Sequence, residues 1–478
     1  MWKKLLITGC VTFSLLSGGT LSAQPSCEIK EEVTSEQLDR TQKELVAMMK
    51  ELKNDSYFQT ELDKAAVQSS LSKRMAAYKD LTVRLLSVLE IQAELEWMKP
   101  EAIQEALGIM KKSSGFDAVL ADKRFGELKS LLAGGFDGIY TGDAQAIDKA
   151  NKTLTLKRKL MLMSPDVNVD KMLTVKFDLG ERANFVGAGS LGIQPNNWSN
   201  LSSASRKNFK AQLVELSGLQ SGELSEKVLY KPAVDGSSVT DLVLNWDGKR
   251  LMFTALDTTR RWQVHELDIN NGEAKQVTNI PEPDLEFFDG TYLPDGRMLA
   301  ISNIGYQGVP CVNGSDAVGN MVLYDPSNGY LRRLTFDQDA NWHPVVMANG
   351  KVMYVRWEYT DLTHYFSRIV MHMNPDGTEQ KSLYGSGSMF PNSIFDVQPL
   401  PKHTNRFVGV ISGHHGVARS GRLMIFDPAK SRKEEKGMIQ ELPFRGRPII
   451  PEVKDELVNG VWPQFIKPYP LTDETFLV

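Results

Sequence analysis

Cysteine is scarce: three residues in a chain of 478, which excludes a disulfide-dense scaffold. No C-x-x-C-H occurs, so covalent c-type haem attachment is excluded too. Charge of one sign is missing as well. Lys and Arg number 55 against 59 Asp and Glu, a formal net charge of −4, too balanced for a global nucleic-acid-binding surface. No apolar run beyond the N-terminal segment is long enough to span a bilayer. Histidine is confined: all seven lie beyond residue 264, so imidazole chemistry belongs to the C-terminal part alone. A Walker loop, G-x-S-x-G and an EF-hand loop are all absent. What is present, 41% hydrophobic and 24% charged residues, suits a globular chain of two to four domains.

The N-terminus carries an address. Met1-Trp2-Lys3-Lys4 is a basic start, Leu5 to Leu16 is mostly apolar, and Leu21-Ser22-Ala23 ends in small residues before Gln24. This predicts a secretory signal over residues 1–23, cut after Ala23, and a periplasmic or secreted mature protein. Lipidation is not expected, because only three apolar residues precede the Ile7-Thr8-Gly9-Cys10 box and Cys27 follows Gln-Pro-Ser. Cys27 and Cys311 are expected as free thiols in the mature chain.

Residues 24–165 read as a helical domain. Thr34-Ser35-Glu36-Gln37 offers a capping box, and Leu38, Leu45, Met48, Met49 and Leu52 follow at near-helical spacing. A second stripe runs from Leu71 through Met75, Tyr78, Leu81, Leu85 and Leu89 to Ile91. Such stripes are the core faces of a bundle. Pro100 and Gly134-Gly135 interrupt the pattern, and a last helix is expected to end near Ser164-Pro165.

After Pro165 the period becomes two, and the signal is repetition. Asp241, Asp289, His343 and Asp396 each open a run that leads to a polar turn and a second apolar run. They recur 48, 54 and 53 residues apart, the period of propeller blades. Asn271-Gly272, Asn328-Gly329 and Asp376-Gly377 close second hairpins, so each unit has four antiparallel strands with type I′-compatible turns. The chain is therefore expected to be α+β and multidomain, with residues 166–478 forming a β-propeller of about six or seven blades. Residues 468–478 read as a further blade left unfinished, completed by an N-terminal strand or cut short by truncation of the gene product.

The repeat also places candidate site residues. Asp241, Asp289, His343 and Asp396 occupy one position at the entry to successive first strands, which line a propeller's channel. A ring of three carboxylates and an imidazole suits a cation or a polar ligand; the alternative is that each Asp satisfies backbone donors within its own blade. Cys311, His364, His414 and His415 follow second strands, with Glu358 nearby, and are expected on one face. A thiolate, imidazoles and a carboxylate suit zinc, although no H-E-x-x-H spacing is present; hydrogen-bonded loop histidines are the alternative. Trp357, Tyr359, Tyr365 and Phe366 would stack on a sugar or peptide if exposed, or pack between blades. Gly187-Ala188-Gly189-Ser190-Leu191-Gly192 fits G-x-G-x-x-G, but Pro195 forbids the helix a dinucleotide site requires.

Several words occurring in order resemble a known family: Tyr306-Gln307-Gly308-Val309-Pro310-Cys311, Leu334-Thr335-Phe336-Asp337, Arg356-Trp357-Glu358-Tyr359, Met373-Asn374-Pro375-Asp376-Gly377 and Ser412-Gly413-His414-His415-Gly416. Together they resemble the middle domain of the hydrazine synthase alpha subunit, a branch of the TolB-like (PD40) propellers. The resemblance covers roughly the last two thirds of the chain and implies a propeller. Hydrazine synthase carries c-type haems with a zinc near the active-site haem; lacking haem motifs, this chain does not inherit that chemistry, and only the Cys311 word matches a neighbourhood where the family places a metal-ligand cysteine.

Three functions fit. The first is an exported scaffold that binds a small molecule, glycan or peptide, with the helical domain docking a protein partner. The second is a zinc-dependent enzyme using the Cys/His/Glu face, with His343 or His414 as general base. The third is a redox subunit taking haem from a partner.

Overall fold

A computed structural model describes residues 33–178, 195–207, 209–220, 224–359, 367–416 and 419–478. The sequence-predicted signal segment, Cys27, the Gly187–Gly192 loop, His364, Tyr365 and Phe366 lie outside the described residues. The chain divides into two compact units, Met1–Met172 with Leu216–Ser225, and Leu173–Glu215 with Glu226–Val478. Among the described residues no helix is long and apolar enough to cross a membrane.

Among its described residues the first unit holds six α-helices: α1 Ser35–Met49, α2 Ser56–Ala66, α3 Leu71–Glu96, α4 Pro100–Met110, α5 Ala118–Ala133 and α6 Ala144–Met161. Their starts are chemically marked. Gln37 N donates to Thr34 Oγ1 and Thr34 N to Gln37 Oε1, the reciprocal pair of a capping box. Ser70, Asp117 and Asp143 accept from backbone N–H groups in the same way. Pro100 does not break a helix but begins one, where its missing N–H costs nothing. Leu45, Phe58, Leu85, Leu128, Ala150 and Leu160 are fully buried in one core.

The second unit is built of antiparallel sheets. The first has three strands, β1 Lys171–Asp178, β2 Lys210–Ser217 and β3 Ser225–Tyr230. Four four-stranded sheets follow in chain order: β4 Val239–Leu244, β5 Arg250–Leu256, β6 Trp262–Asp268, β7 Ala274–Gln276; β8 Phe287–Tyr292, β9 Met298–Ser302, β10 Asn320–Asp325, β11 Tyr330–Arg333; β12 Asn341–Val346, β13 Val352–Trp357, β14 Arg368–Met373, β15 Lys381–Tyr384; β16 Ser393–Pro399, β17 Phe407–Ser412, β18 Arg422–Phe426, β19 Met438–Leu442. A last pair, β20 Tyr469–Pro470 and β21 Phe476–Leu477, completes the described strands. One parallel bridge, Arg368 to Ser393, joins the last two four-stranded sheets.

These sheets stack as blades do. Each first strand packs against the next, β4 on β8, β8 on β12, β12 on β16 and β16 on β20. The second strands β9 and β17 are buried along their whole length, because neighbouring sheets cover both faces. The fourth strands are short, three to five residues, and β11 is partly exposed throughout, which keeps the outer edge from templating further pairing.

The hairpins differ in one respect from the type I′ expectation. Gly248 N donates to Asn245 O at 2.9 Å, and of these turn residues only Gly248 has a positive φ, at 65°. That is a type I turn followed by a left-handed glycine, here with four residues between the flanking pair Asn245 and Arg250. Gly296, Gly350 and Gly377 repeat the turn in loops one residue shorter, the three-residue loop with a G1 bulge.

Candidate functional site

Every inner strand carries the same irregularity. The register of β4, β8, β12 and β16 slips between Thr240 and Val243, Phe288 and Thr291, Trp342 and Val345, and Phe395 and Gln398. The residue inside each bulge is left-handed: Asp241 at φ 55°, Asp289 at 53°, His343 at 53° and Asp396 at 49°. Asp and His tolerate this region better than most side chains, and a bulge re-aims its side chain out of the strand's alternation. The four side chains therefore meet, and a fifth joins them. Lys467, at φ 47°, stands two residues before β20.

The five form a chain of contacts that returns on itself. Asp241 Oδ2 accepts from Asp289 N at 3.2 Å, and Asp289 Oδ2 from His343 N at 2.6 Å. The imidazole lies between two carboxylates, Nδ1 at 3.3 Å from Asp289 and Nε2 at 3.2 Å from Asp396. Asp396 Oδ2 accepts from Lys467 N at 3.0 Å, and Lys467 Nζ reaches back to Asp241 Oδ1 at 3.2 Å. The carboxylates thus bind donors of neighbouring sheets, and Asp241 Oδ1 also accepts from Thr240 Oγ1 within its own sheet at 3.1 Å. Burial alone would raise the Asp289 and Asp396 carboxyls, but His343, Lys467 and the N–H donors outweigh it and hold both below the usual range. For Lys467 burial pulls down, and Asp396, Asp241 and Asp289 more than reverse it, so its ammonium titrates above the ordinary lysine value.

Above the ring lies residues 195–206, a strap fixed across the ends of several sheets. Asn197 Nδ2 donates to Gly413 O at 2.5 Å, and its Oδ1 accepts from Arg419 N at 2.6 Å. Arg368 Nε donates to Asn197 O at 3.0 Å and Trp342 Nε1 to Ser199 O at 3.0 Å. The Arg419 guanidinium also hydrogen-bonds Ser199 O. Ser199 Oγ donates to Asp316, Asn200 Nδ2 to Ala317 O, and Arg206 pairs with Glu286. Between strap and ring remains a void of about 10 Å³, lined in part by Asn200, Asp241, Asp289, Arg419 and Lys467. That is room for a single water.

The loop residues come together on the same end. Arg368, fully buried, places Nη1 2.5 Å from His414 Nδ1 and its guanidinium 4.2 Å from the Trp357 ring centre. Burial, Arg368 and His415 together push the His414 imidazole down to about 2, so it stays neutral. Its ring lies 4.2 Å from that of His415, and Trp198 of the strap stacks edge-on to His415 at 5.1 Å. His415 Nδ1 faces Asp455 at 2.8 Å. Cys311 is a free, partly buried thiol in the β9–β10 connection; burial raises it, against the field of Arg368 and with that of Asp339. Asp339 is itself raised to about 6 by burial, opposed by Arg368 and reinforced by Glu358 and Asp337. Glu358 pairs with Arg356, which also holds Asp337 at 3.2 Å. Trp357 is buried, with Tyr359 edge-on at 5.4 Å. Among the described residues no group of three or more His, Cys, Asp or Glu side chains is arranged to hold a metal ion.

Lys467, Arg368, Arg419 and the strap are the parts that sequence reasoning missed. Lys467 had a signal: it stands six residues before Asp473, as Asp241 stands before Asp247, Asp289 before Asp295 and His343 before Asn349. The two buried arginines had none.

No protein-family model matches the chain, and no curated protein matches it significantly. Solved structures do. Kuenenia stuttgartiensis hydrazine synthase is similar over 64% of this chain and 41% of its own, at 13% identity and a TM-score of 0.46. TolB from Acinetobacter baumannii is similar over 45% of this chain and 46% of its own, at 18% identity and a TM-score of 0.31. A putative TolB from Agrobacterium tumefaciens gives 17% identity over 37% and 57%, with a TM-score of 0.28. The chain thus spans about half the length of these proteins, and its resemblance to hydrazine synthase and the TolB-like propellers is one of low identity.

Proposed function

We propose that the chain is an exported scaffold that binds a ligand or partner on the end of its sheets carrying the strap and the Cys311, Glu358, His414 and His415 loops. One observation carries this reading: buried Arg368, Arg419 and Trp342 all donate to main-chain carbonyls of the strap. Cations placed on backbone oxygens under a surface stiffen it, and preorganised surfaces bind at lower entropic cost. The ring beneath is then the clamp that keeps successive sheets in register, and the loops above it are the recognition surface.

The test has two parts. Expressed with its N-terminal segment in a bacterium, the protein should be recovered from the periplasm with a mass beginning at Gln24; recovery of the full-length chain from the cytoplasm would overturn export. The purified protein, screened by thermal shift against sugars, peptides and divalent cations, should be stabilised by at least one class. Stabilisation by none would overturn the binding reading. About one zinc per chain, lost on replacing Cys311, would instead favour the metal-dependent enzyme with Cys311, His364, His414 and His415 as ligands.

A further inference from the structure

Five Asn-Gly pairs occur in the sequence, at Asn271, Asn313, Asn328, Asn349 and Asn459. In such a pair the glycine nitrogen can close on the Asn side-chain carbonyl carbon to form a five-membered ring, because no Cβ obstructs the approach. Two features of a fold oppose that attack. A main-chain N–H offers one donor, so a hydrogen bond there occupies the nucleophile. A hydrogen bond on the Asn Oδ1 fixes the carbon it would attack.

In four of the pairs the glycine N–H is bonded. Gly272 N donates to Asp268 O at 2.8 Å, Gly314 N to Val309 O at 3.0 Å, Gly329 N to Asp325 O at 2.9 Å and Gly350 N to Met347 O at 2.9 Å. Three of these pairs are held at the side chain too. Asn271, Asn328 and Asn349 each accept at Oδ1 from the N–H two residues on, of Glu273, Tyr330 and Lys351, the local bond of an Asx turn. Asn459-Gly460 is built differently. Gly460 is exposed, and its N–H makes no hydrogen bond among the described residues. Val461 N, two residues on from Asn459, donates to Val458 O at 3.1 Å instead of to the side chain.

We propose that Asn459 is a site of spontaneous covalent modification, its side-chain amide being exchanged for a carboxylate through a cyclic imide. The Gly460 nitrogen gives its proton to solvent base and bonds to Asn459 Cγ; the Cγ–Nδ2 bond breaks, and the nitrogen takes a proton from water and leaves as ammonia. Water then opens the ring. Attack at Cγ restores the main chain with Asp at 459, whereas attack at the main-chain carbonyl routes the chain through Cγ and lengthens it by one atom. Water is the only co-reactant, and nothing is oxidised or reduced.

The place gives the change a consequence. Asn459 Nδ2 donates to Glu456 Oε2, and a carboxylate in its place sets two like charges together. A Cβ added at Gly416 would collide with Asn459 Oδ1, so the side chain rests against the loop of His415, whose imidazole faces Asp455. The new charge therefore arrives beside Asp455 and Glu456, against the proposed recognition loops.

Peptide mapping by mass spectrometry of the full mature chain, held at pH 8 and 37 °C, tests this. The peptide containing residues 459 and 460 should gain the mass of an amide turned into a carboxyl and appear as two separable products. It should do so at least tenfold faster than the peptides of the other four pairs. In guanidinium chloride all five should react at similar rates, since the difference lies in the fold. Asn459→Gln, which needs a larger ring, should silence that peptide and leave the other four unchanged. Equal rates at Asn459 and the other pairs in the native protein would overturn the proposal, as would a lead at Asn459 that persists undiminished in denaturant. The same mass gain in the Asn459→Gln protein would place the reaction elsewhere and end it too.

Discussion

At the scale of single residues the molecule depends on five left-handed positions. A residue with a Cβ costs about 1–2 kcal/mol there, so the cost must be offset by what the side chain reaches. Asp289 accepts from His343 N and lies against the imidazole, while its own N–H bonds both Asp241 and Thr254 Oγ1. Replacing it with Ala keeps the strain and leaves His343 N and the imidazole without their acceptor; breaking a buried pair this way costs about 3–5 kcal/mol. Asp289→Gly removes the same carboxylate but relieves the backbone, so it should cost about 1 kcal/mol less than Asp289→Ala in urea unfolding. Equal losses would refute the strain reading. The pH dependence follows from the depressed carboxyls of Asp289 and Asp396. Their stabilisation is complete above the unfolded value of about 4 and is lost as pH falls towards and through the folded values. Between pH 4 and 2 the stability of Asp289→Gly should therefore fall less steeply than that of the wild type.

At the scale of elements, two segments invite substitution. Asn197 is buried, and its side-chain amide serves both Gly413 O and Arg419 N of the β17–β18 connection. Asn197→Ala leaves both unsatisfied, which should cost about 2 kcal/mol or more and make residues 195–206 the first site of limited proteolysis. In the helical unit Glu90 of α3 is raised to about 7 by burial, with Glu94 adding to it and Arg158 opposing. A carboxyl raised on folding opposes the native state increasingly as pH climbs from its unfolded value through its folded one. Glu90→Gln should therefore stabilise the helical unit more at pH 8 than at pH 5, as read by thermal melts; the reverse order would show that Glu90 is not held protonated. Much of this level was legible in the sequence. The stripe from Met75 to Ile91 became α3, and Thr34 and Gln37 became its neighbour's capping box, because period and capping are local properties. The strap was not legible, since 195–206 has no period, and its order comes from Arg368, Arg419 and Trp342, which lie 140 or more residues away in sequence. Nor does a sequence tell which arginines go inside: burial of a cation is decided by the carbonyls and rings that tertiary structure gathers round it.

At the scale of the β-unit the ring turns separate sheets into one cooperative structure. Sheets that pack face to face can open one at a time if only apolar contacts hold them. Here side chains also link the successive inner segments: Asp241 accepts from Asp289 N, Asp289 from His343 N and Asp396 from Lys467 N, while the His343 imidazole lies 3.2 Å from Asp396. The return link is Lys467 Nζ, shared between Asp241 at 3.2 Å and Asp396 at 3.6 Å, and it ties the segment before β20 to β4 across 226 residues of sequence. Lys467→Ala keeps the strained backbone and removes this link, taking away the ammonium that bridges Asp241 and Asp396. The side chain is 37% exposed, so the loss in stability should be about 1–2 kcal/mol, less than for a wholly buried pair. Its signature is spatial. Hydrogen exchange should accelerate together in β4 and in β16, the two strands whose carboxylates lose the ammonium, with less change in β9 or β13. Lys351→Ala, which removes a surface pair with Glu379, should leave all four strands as they were. Acceleration confined to the neighbourhood of β20 would mean that Lys467 anchors the chain locally and that apolar packing alone couples the sheets.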